Sequence, residues 1–403
     1  MIDLLKTCAG SLAVLSFVAC GGPADADQRS FSEVLAEDGL SGVPDWSAAQ
    51  DAGPGAAYLS GMAEALSAIE HVLQVRYATY SGELPLAPGG QIAIAYNPDA
   101  KFDPAFVETA AKGALEHFAR ADLVLRNATG KDFAVEVNLA EIWFDINADG
   151  TRNEGEDALD QIGFLLGEAP DAEPKPENTV VRFDSADADW LSAYVHLASA
   201  SAELLLSVDP TSAISTVFEG NERMRELGVI SPDPFFGTRN EIDTFAVVLA
   251  ALDGVPDAQR TQSALAHLKE MVEHNRAFWA AVAEETDNEN EWLPNANQTS
   301  AFGVQVTAET AANWQTVLSE MEQVLNGEKL IPHWRISEGN NANVGINLES
   351  LLNDPGDFQL ALLLHGASLA PHMEEGELVD LSVWREFSLG VGGQGIPFAL
   401  WLN

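Results

Sequence analysis

The chain has 403 residues, 46% of them apolar, and its 62 acidic residues against 20 basic ones give a formal charge of −42. That apolar share supports a sizeable core in one large domain or two closely packed ones and excludes a disordered chain. The charge repels phosphate backbones and anionic head groups, with no basic cluster to reverse it locally, so it argues against nucleic acid as a partner and favours cations.

The N-terminus reads as a targeting segment, with Lys6 in a short polar region before an apolar run from Leu12 to Ala19 that is too short to remain as a membrane span. Phe17-Val18-Ala19-Cys20 resembles the lipobox of bacterial lipoproteins. The resemblance implies a signal peptide over residues 1–19, cleavage by signal peptidase II and a lipid anchor on Cys20. Gly21 after the cysteine implies sorting to the outer membrane of a Gram-negative cell. Asp3 and Phe17 depart from the usual pattern and leave signal peptidase I cleavage, with free export, as the alternative. The other cysteine, Cys8, lies in the segment to be removed, so the mature chain has no disulfide.

Residues 20–55, rich in Ala, Asp, Gly, Pro and Ser, read as a flexible tether. The folded body is expected from residue 56 to residue 403 as a single large domain. Leu59, Met62, Leu66, Ile69 and Leu73 predict a first long helix over 56–79, and Pro85 with Gly89-Gly90 marks the loop after it. Asp103-Pro104 starts a second helix, whose stripe of Phe106, Ala110, Ala114, Phe118, Ala121 and Leu125 runs to Asn127. Phe133, Val135, Val137 and Leu139 then alternate with Ala134, Glu136 and Asn138, which is the period of a strand.

That strand leads into Asp145-Ile-Asn147-Ala-Asp149-Gly150-Thr151-Arg-Asn153-Glu-Gly-Glu156, which fits the twelve-position EF-hand calcium loop. Asp145, Asn147 and Asp149 offer side-chain oxygens at positions 1, 3 and 5, and Gly150 makes the sharp turn at 6. Thr151 offers its carbonyl at 7, Asn153 stands at 9 and Glu156 closes at 12. The competing reading is an Asp/Asn/Gly-rich turn that binds nothing. An extended approach, a helix starting around Glu156 and the lack of a second such loop describe a solitary strand-loop-helix variant. Its calcium is expected to be mainly structural, with affinity in the weak ~10⁻⁴ to 10⁻³ M range.

Residues 170–178 form an acidic, proline-punctuated loop, and residues 179–183 a short buried strand. Trp190, Tyr194, Leu197, Ser201 and Leu204 share a helical face that ends before Asp209-Pro210. Asp184, Asp187 and Asp189 at its start read as caps rather than as a paired-carboxylate active site. Asp189, Ser192 and His196 share a face, but a serine inside a regular helix lacks the strained turn and free amides that acyl transfer needs. Further helices are predicted at 212–226, 240–253, 257–285 and 308–326. In the third of these, His267 and His274 stand two turns apart, roughly 10 Å, too far to clasp one zinc unaided. They and Glu270 are expected to be surface positions.

The segment from Asp287 to Asn295 is oxygen-rich but lacks calcium-loop spacing. Lys329 to Ile336, Val344 to Leu348 and Phe358 to Leu364 are short apolar runs between turn signals, so a C-terminal α+β subdomain over 329–403 is possible. His333, Trp334 and Arg335, and His365 with His372, are polar groups that can line a pocket or be satisfied in the core. Gly390-Val-Gly392-Gly-Gln-Gly395 spells the dinucleotide fingerprint without room for the helix it needs, and reads as a turn before a closing apolar strand that docks into the core.

The expected fold class is mainly α, a large helical domain with a few short strands, some in the C-terminal 75 residues. Trp143 to Gly150, Val181 to Tyr194, Glu289 to Pro294, Leu330 to Arg335 and Phe398 to Asn403 together resemble an uncharacterised family of exported bacterial proteins, over most of residues 57–403. That resemblance implies no activity. The expectation is therefore a calcium-binding cell-envelope lipoprotein acting as a binding or scaffold module, its protein or small-molecule partner unnamed. The alternative is a secreted or envelope hydrolase with a remote structural calcium.

Overall fold

A computed structural model describes residues 29–79, 97–159, 179–228, 239–302, 305–335 and 343–403, apart from Gly392 and Gln394. The targeting segment, Cys20 and the 170–178 loop lie outside the described residues. The fold is mainly α, 61% helical with 13 helices among the described residues and 9% strand.

The first long helix is α3 (Pro54–Thr79), preceded by two short ones, α1 (Phe31–Asp38) and α2 (Val43–Ala49). These two correct the tether expectation over residues 29–55. Ser30 and Glu33 form a reciprocal capping box at the start of α1. Phe31, Val34, Leu35, Leu40, Val43 and Trp46 are all buried in the main core. The Trp46 indole donates to the Arg29 carbonyl (2.9 Å), closing the segment on itself, and the Trp143 indole donates to the Leu35 carbonyl (2.7 Å), tying the segment to the body. The composition here is polar and small-residue, yet six scattered apolar residues decide the packing.

Helix α4 (Phe106–Leu125) packs along α3. The approach is close because α3 carries Gly61 at the contact, where an added Cβ would stand 2.6 Å from the Leu125 side chain. Strand β1 (Ala134–Asn138) pairs antiparallel with β2 (Val180–Asp184), Ala134 opposite Asp184 and Asn138 opposite Val180. The calcium-loop sequence lies in the connection between these strands. Helix α5 (Ser185–Ser207) leaves β2 at once, capped by Asp184, which accepts from Ala186 N–H, while Asp187 accepts from Asp184 N–H. The capping role expected of this pair is therefore what the structure gives.

Helices α6 (Thr211–Glu226), α7 (Arg239–Ala251), α8 (Ala258–Val282) and α9 (Ala308–Leu325) follow at the predicted places. Helix α8 packs against α5 along much of its length and also against α9. The C-terminal part carries two small sheets, β3 (Lys329–Leu330) parallel to β6 (Glu377–Leu378) and β4 (Val344–Ile346) antiparallel to β5 (Met373–Glu375). Four short helices accompany them, α10 (Leu348–Asn353), α11 (Leu360–His365), α12 (Leu381–Gly390) and α13 (Gly395–Leu402). Helix α13 replaces the closing strand expected from sequence. Its run of apolar residues has no alternation to mark one sheet face, and a helix docked through Leu402, with Ile396 and Leu400 exposed, uses such a run equally well. The expected docking of the terminus holds, since the Leu402 carbonyl accepts from Asn275 Nδ2 (2.9 Å) and the Trp279 indole (3.3 Å).

Candidate functional site

The loop from Asp145 to Glu156 is held shut at its ends by backbone. Phe144 N–H donates to the Glu156 carbonyl (2.8 Å) and Ala158 N–H to the Ile142 carbonyl (3.0 Å), with Trp143 bridged antiparallel to Asp157. The residues next to the loop are thus extended, as the sequence predicts, but a 3₁₀ turn at Leu139–Glu141 separates them from β1. Helical residues on the far side begin at Ala158, and the described chain breaks off after Leu159. Inside the loop the Asp145 carboxylate accepts from the N–H groups of Asp149 (3.0 Å) and Gly150 (2.9 Å), and Gly150 turns the chain at φ +75°. Asn147 Oδ1 also accepts from Asp149 N–H (2.9 Å). The Asp149 carboxylate accepts from the backbone and hydroxyl of Thr151, contacts that lower its pKa.

The remaining positions face inward in a form that needs rearrangement before they ligate a cation. Asn153 Nδ2 donates to the Thr151 carbonyl (2.9 Å) and toward Asp149 (3.2 Å), so its amide must rotate to present oxygen. Glu156, only 4% exposed, gives one oxygen to Ile146 N–H (3.1 Å) and the other to Asn153 N–H (2.7 Å). The donor set is otherwise oxygen throughout, which is calcium's preference. A further carboxylate stands behind the loop: Glu70 of α3 accepts from Asp145 N–H (2.8 Å), and Gln74 donates to the Asp145 carbonyl (2.8 Å). Burial pushes Glu70 up to about 7, against its hydrogen bond to the Asp145 backbone and with the charges of Asp145 and Glu156 adding to the rise.

The flanks of this loop also form a wall of an apolar cavity of about 270 Å³ between α3, α4 and α5. Phe144 and Leu159 from the loop flanks meet Phe118, Trp190, Tyr194 and Trp292 there. The indole N–H of Trp292 is buried without a hydrogen-bond partner among the described residues.

Among the described residues, two groups bring one ligand atom from each of three side chains within 4.8 Å of one another, and neither belongs to the loop. The first is Asp184, Glu285 and Glu291. Arg182 pairs with Asp184 (3.1 Å) and Asp287 (3.0 Å), offsetting part of the charge. Burial pushes the carboxyls of Asp187, Glu285 and Glu291 up, Glu285 to about 7. The second is His196, Glu270 and His274.

This second group corrects the surface reading of His267, Glu270 and His274. Only Glu270 is exposed, while His267 and His274 are half-buried against α5. His196 Nδ1 lies 2.8 Å from His267 Nδ1, its ring stacks on His274 at 5.7 Å and 12°, and its Nε2 stands 3.6 Å from Asp122. Asp189 accepts from His274 Nδ1 at 2.7 Å. The His196 hydrogen bond and the Arg126 guanidinium hold Asp122 well below the usual carboxylate range despite burial. Burial lowers His267, and for His274 the Asp189 carboxylate overcomes burial and raises it. Asp189 and His196 on α5, and His267 and His274 on α8, are each seven residues apart. That matched spacing on two helices was the signal available in sequence. Ser192 takes no part, since its hydroxyl donates to the Ala188 carbonyl (2.8 Å), and Trp334 is 74% exposed beside an exposed Arg335.

No protein-family model, curated protein or solved structure matches the chain.

Proposed function

We propose that this protein is a calcium-binding module of the cell envelope, held to the membrane by a lipid on Cys20, in which calcium braces one wall of a site for a small apolar ligand. The observation that carries the reading is the double use of one segment. Residues 145–156 form the oxygen-lined loop, and Phe144 and Leu159 on its two sides line the cavity. An ion drawing Asp145, Asn147, Asp149, Asn153, Glu156 and the Thr151 carbonyl together would fix the spacing of those two walls. A cavity lined chiefly by aromatic and aliphatic side chains selects an apolar guest.

Calcium and chelator melts of the wild type and of Asp145→Ala test the loop. At ~10 mM calcium a site in the ~10⁻⁴ to 10⁻³ M range stabilises by about 1.4–2.7 kcal/mol, a shift of several degrees in the wild type and none in the variant. An unshifted wild type, or an equal shift in Asp145→Ala, rejects calcium binding here. The cavity is tested separately with a fluorescent naphthylamine probe. Its binding is expected to tighten with calcium in the wild type and to be lost in Tyr194→Arg, and indifference to both changes removes the cavity from the proposal.

A further inference from the structure

We propose that the interface of α4, α5 and α8 holds a second, chemically different cation site: one divalent first-row transition metal of the zinc class, ligated by His196, Glu270 and His274. A ligand atom from each of the three already lies within 4.8 Å of the others. Zinc bonds of ~2.0–2.1 Å place tetrahedral ligands ~3.3 Å apart, so the group must contract by up to ~1.5 Å. Glu270 is exposed at the rim, and its side chain has the freedom to supply most of that movement.

The surroundings match what metal-ligating imidazoles require. A histidine that binds metal through one nitrogen commonly gives its other N–H to a carboxylate, which fixes the tautomer and aims the lone pair. His274 does this with Asp189, which engages Nδ1 at 2.7 Å and leaves Nε2 as the ligating nitrogen. His196, 4% exposed, has Asp122 on its Nε2 side at 3.6 Å, and Arg126 in turn fixes Asp122 through two hydrogen bonds. The Nδ1 atoms of His196 and His267 are 2.8 Å apart, so one of them is unprotonated and accepts from the other, and His196 ligates through Nδ1 once it gives up this contact. Nitrogen donors distinguish this site from the all-oxygen loop and select zinc, cobalt or nickel over calcium. Three protein ligands with Glu270 open to solvent leave a fourth position for water. Arg126 opposes the cation, but its charge is engaged by Asp122, and Asp189 and Glu270 add two further negative charges.

The test uses the full mature chain, stripped with chelator and titrated with zinc and with cobalt. The expected result is one equivalent of zinc bound, with cobalt giving the visible absorption of a low-symmetry site with nitrogen ligands. Glu270→Ala, at an exposed position, should weaken zinc by more than tenfold, and His274→Ala should abolish the cobalt spectrum. Asp189→Asn should weaken zinc ~10–100-fold through the orientation of His274. Asp145→Ala should leave the stoichiometry unchanged, which separates this site from the calcium loop. Absence of stoichiometric zinc in the wild type, or zinc affinity unchanged in both Glu270→Ala and His274→Ala, overturns the proposal. Circular dichroism of each variant identifies any loss of binding that comes from loss of fold.

Discussion

The carboxyl of Glu285 is pushed up to about 7 by burial, aided by the charges of Asp184, Glu291 and Asp287 and opposed by a hydrogen bond from Gln298. In the unfolded chain it titrates near 4.5, so between those values the folded state holds a proton that the unfolded state has released. Its contribution to stability is therefore complete below pH 4.5 and lost as the pH rises to about 7. Glu285→Gln stays neutral and keeps an acceptor for Gln298. It should match the wild type at pH 4 and exceed it at pH 8 by on the order of 1–2 kcal/mol, after discounting for partial solvent exposure. Urea unfolding at the two pH values checks this, and an equal difference at both would assign the effect to packing. At this scale the loop residues were legible because their spacing is local. The histidine cluster was not, because a histidine on α8 gains its meaning only from the partner α5 places opposite it.

Elements were legible where periodicity and punctuation agree, as for α3, α4 and α9, each predicted within a few residues. Periodicity fails in the short apolar runs, where the apolar helix α13 and a buried strand read alike, and in α1, whose eight residues present little more than two turns. The closeness of α3 to α4 depends on Gly61, and sequence alone gives that glycine no such role. Gly61→Ala should drive a methyl into Leu125 and destabilise by about 1–3 kcal/mol. Trimming the partner removes the clash, so Gly61→Ala with Leu125→Ala should cost less than the sum of the single changes in a double-mutant cycle. Additive costs would mean that the two helices do not meet at this point.

For the whole molecule, the main consequence lies in where the body begins. On the proposed anchor at Cys20, a flexible tether over residues 20–55 would let the body roam far from the membrane, whereas a body that includes Phe31 stands about ten residues from the anchor. At ~3.3–3.6 Å per residue these reach at most ~35 Å, about the width of a small domain. Whether residues 31–50 belong to the body is decided by deleting them. Removing residues 31–50 strips Phe31, Leu35 and Trp46 from the main core and orphans the buried Trp143 indole, a loss of about 1–3 kcal/mol for that donor alone before any apolar area is counted. Because Trp143 bridges to Asp157 across the neck of the proposed calcium loop, this deletion should also weaken the calcium-dependent shift. Melts of the wild type and of the deletion with calcium and with chelator decide the matter, and a 31–50 deletion with unchanged stability and an intact calcium shift would return this segment to the tether.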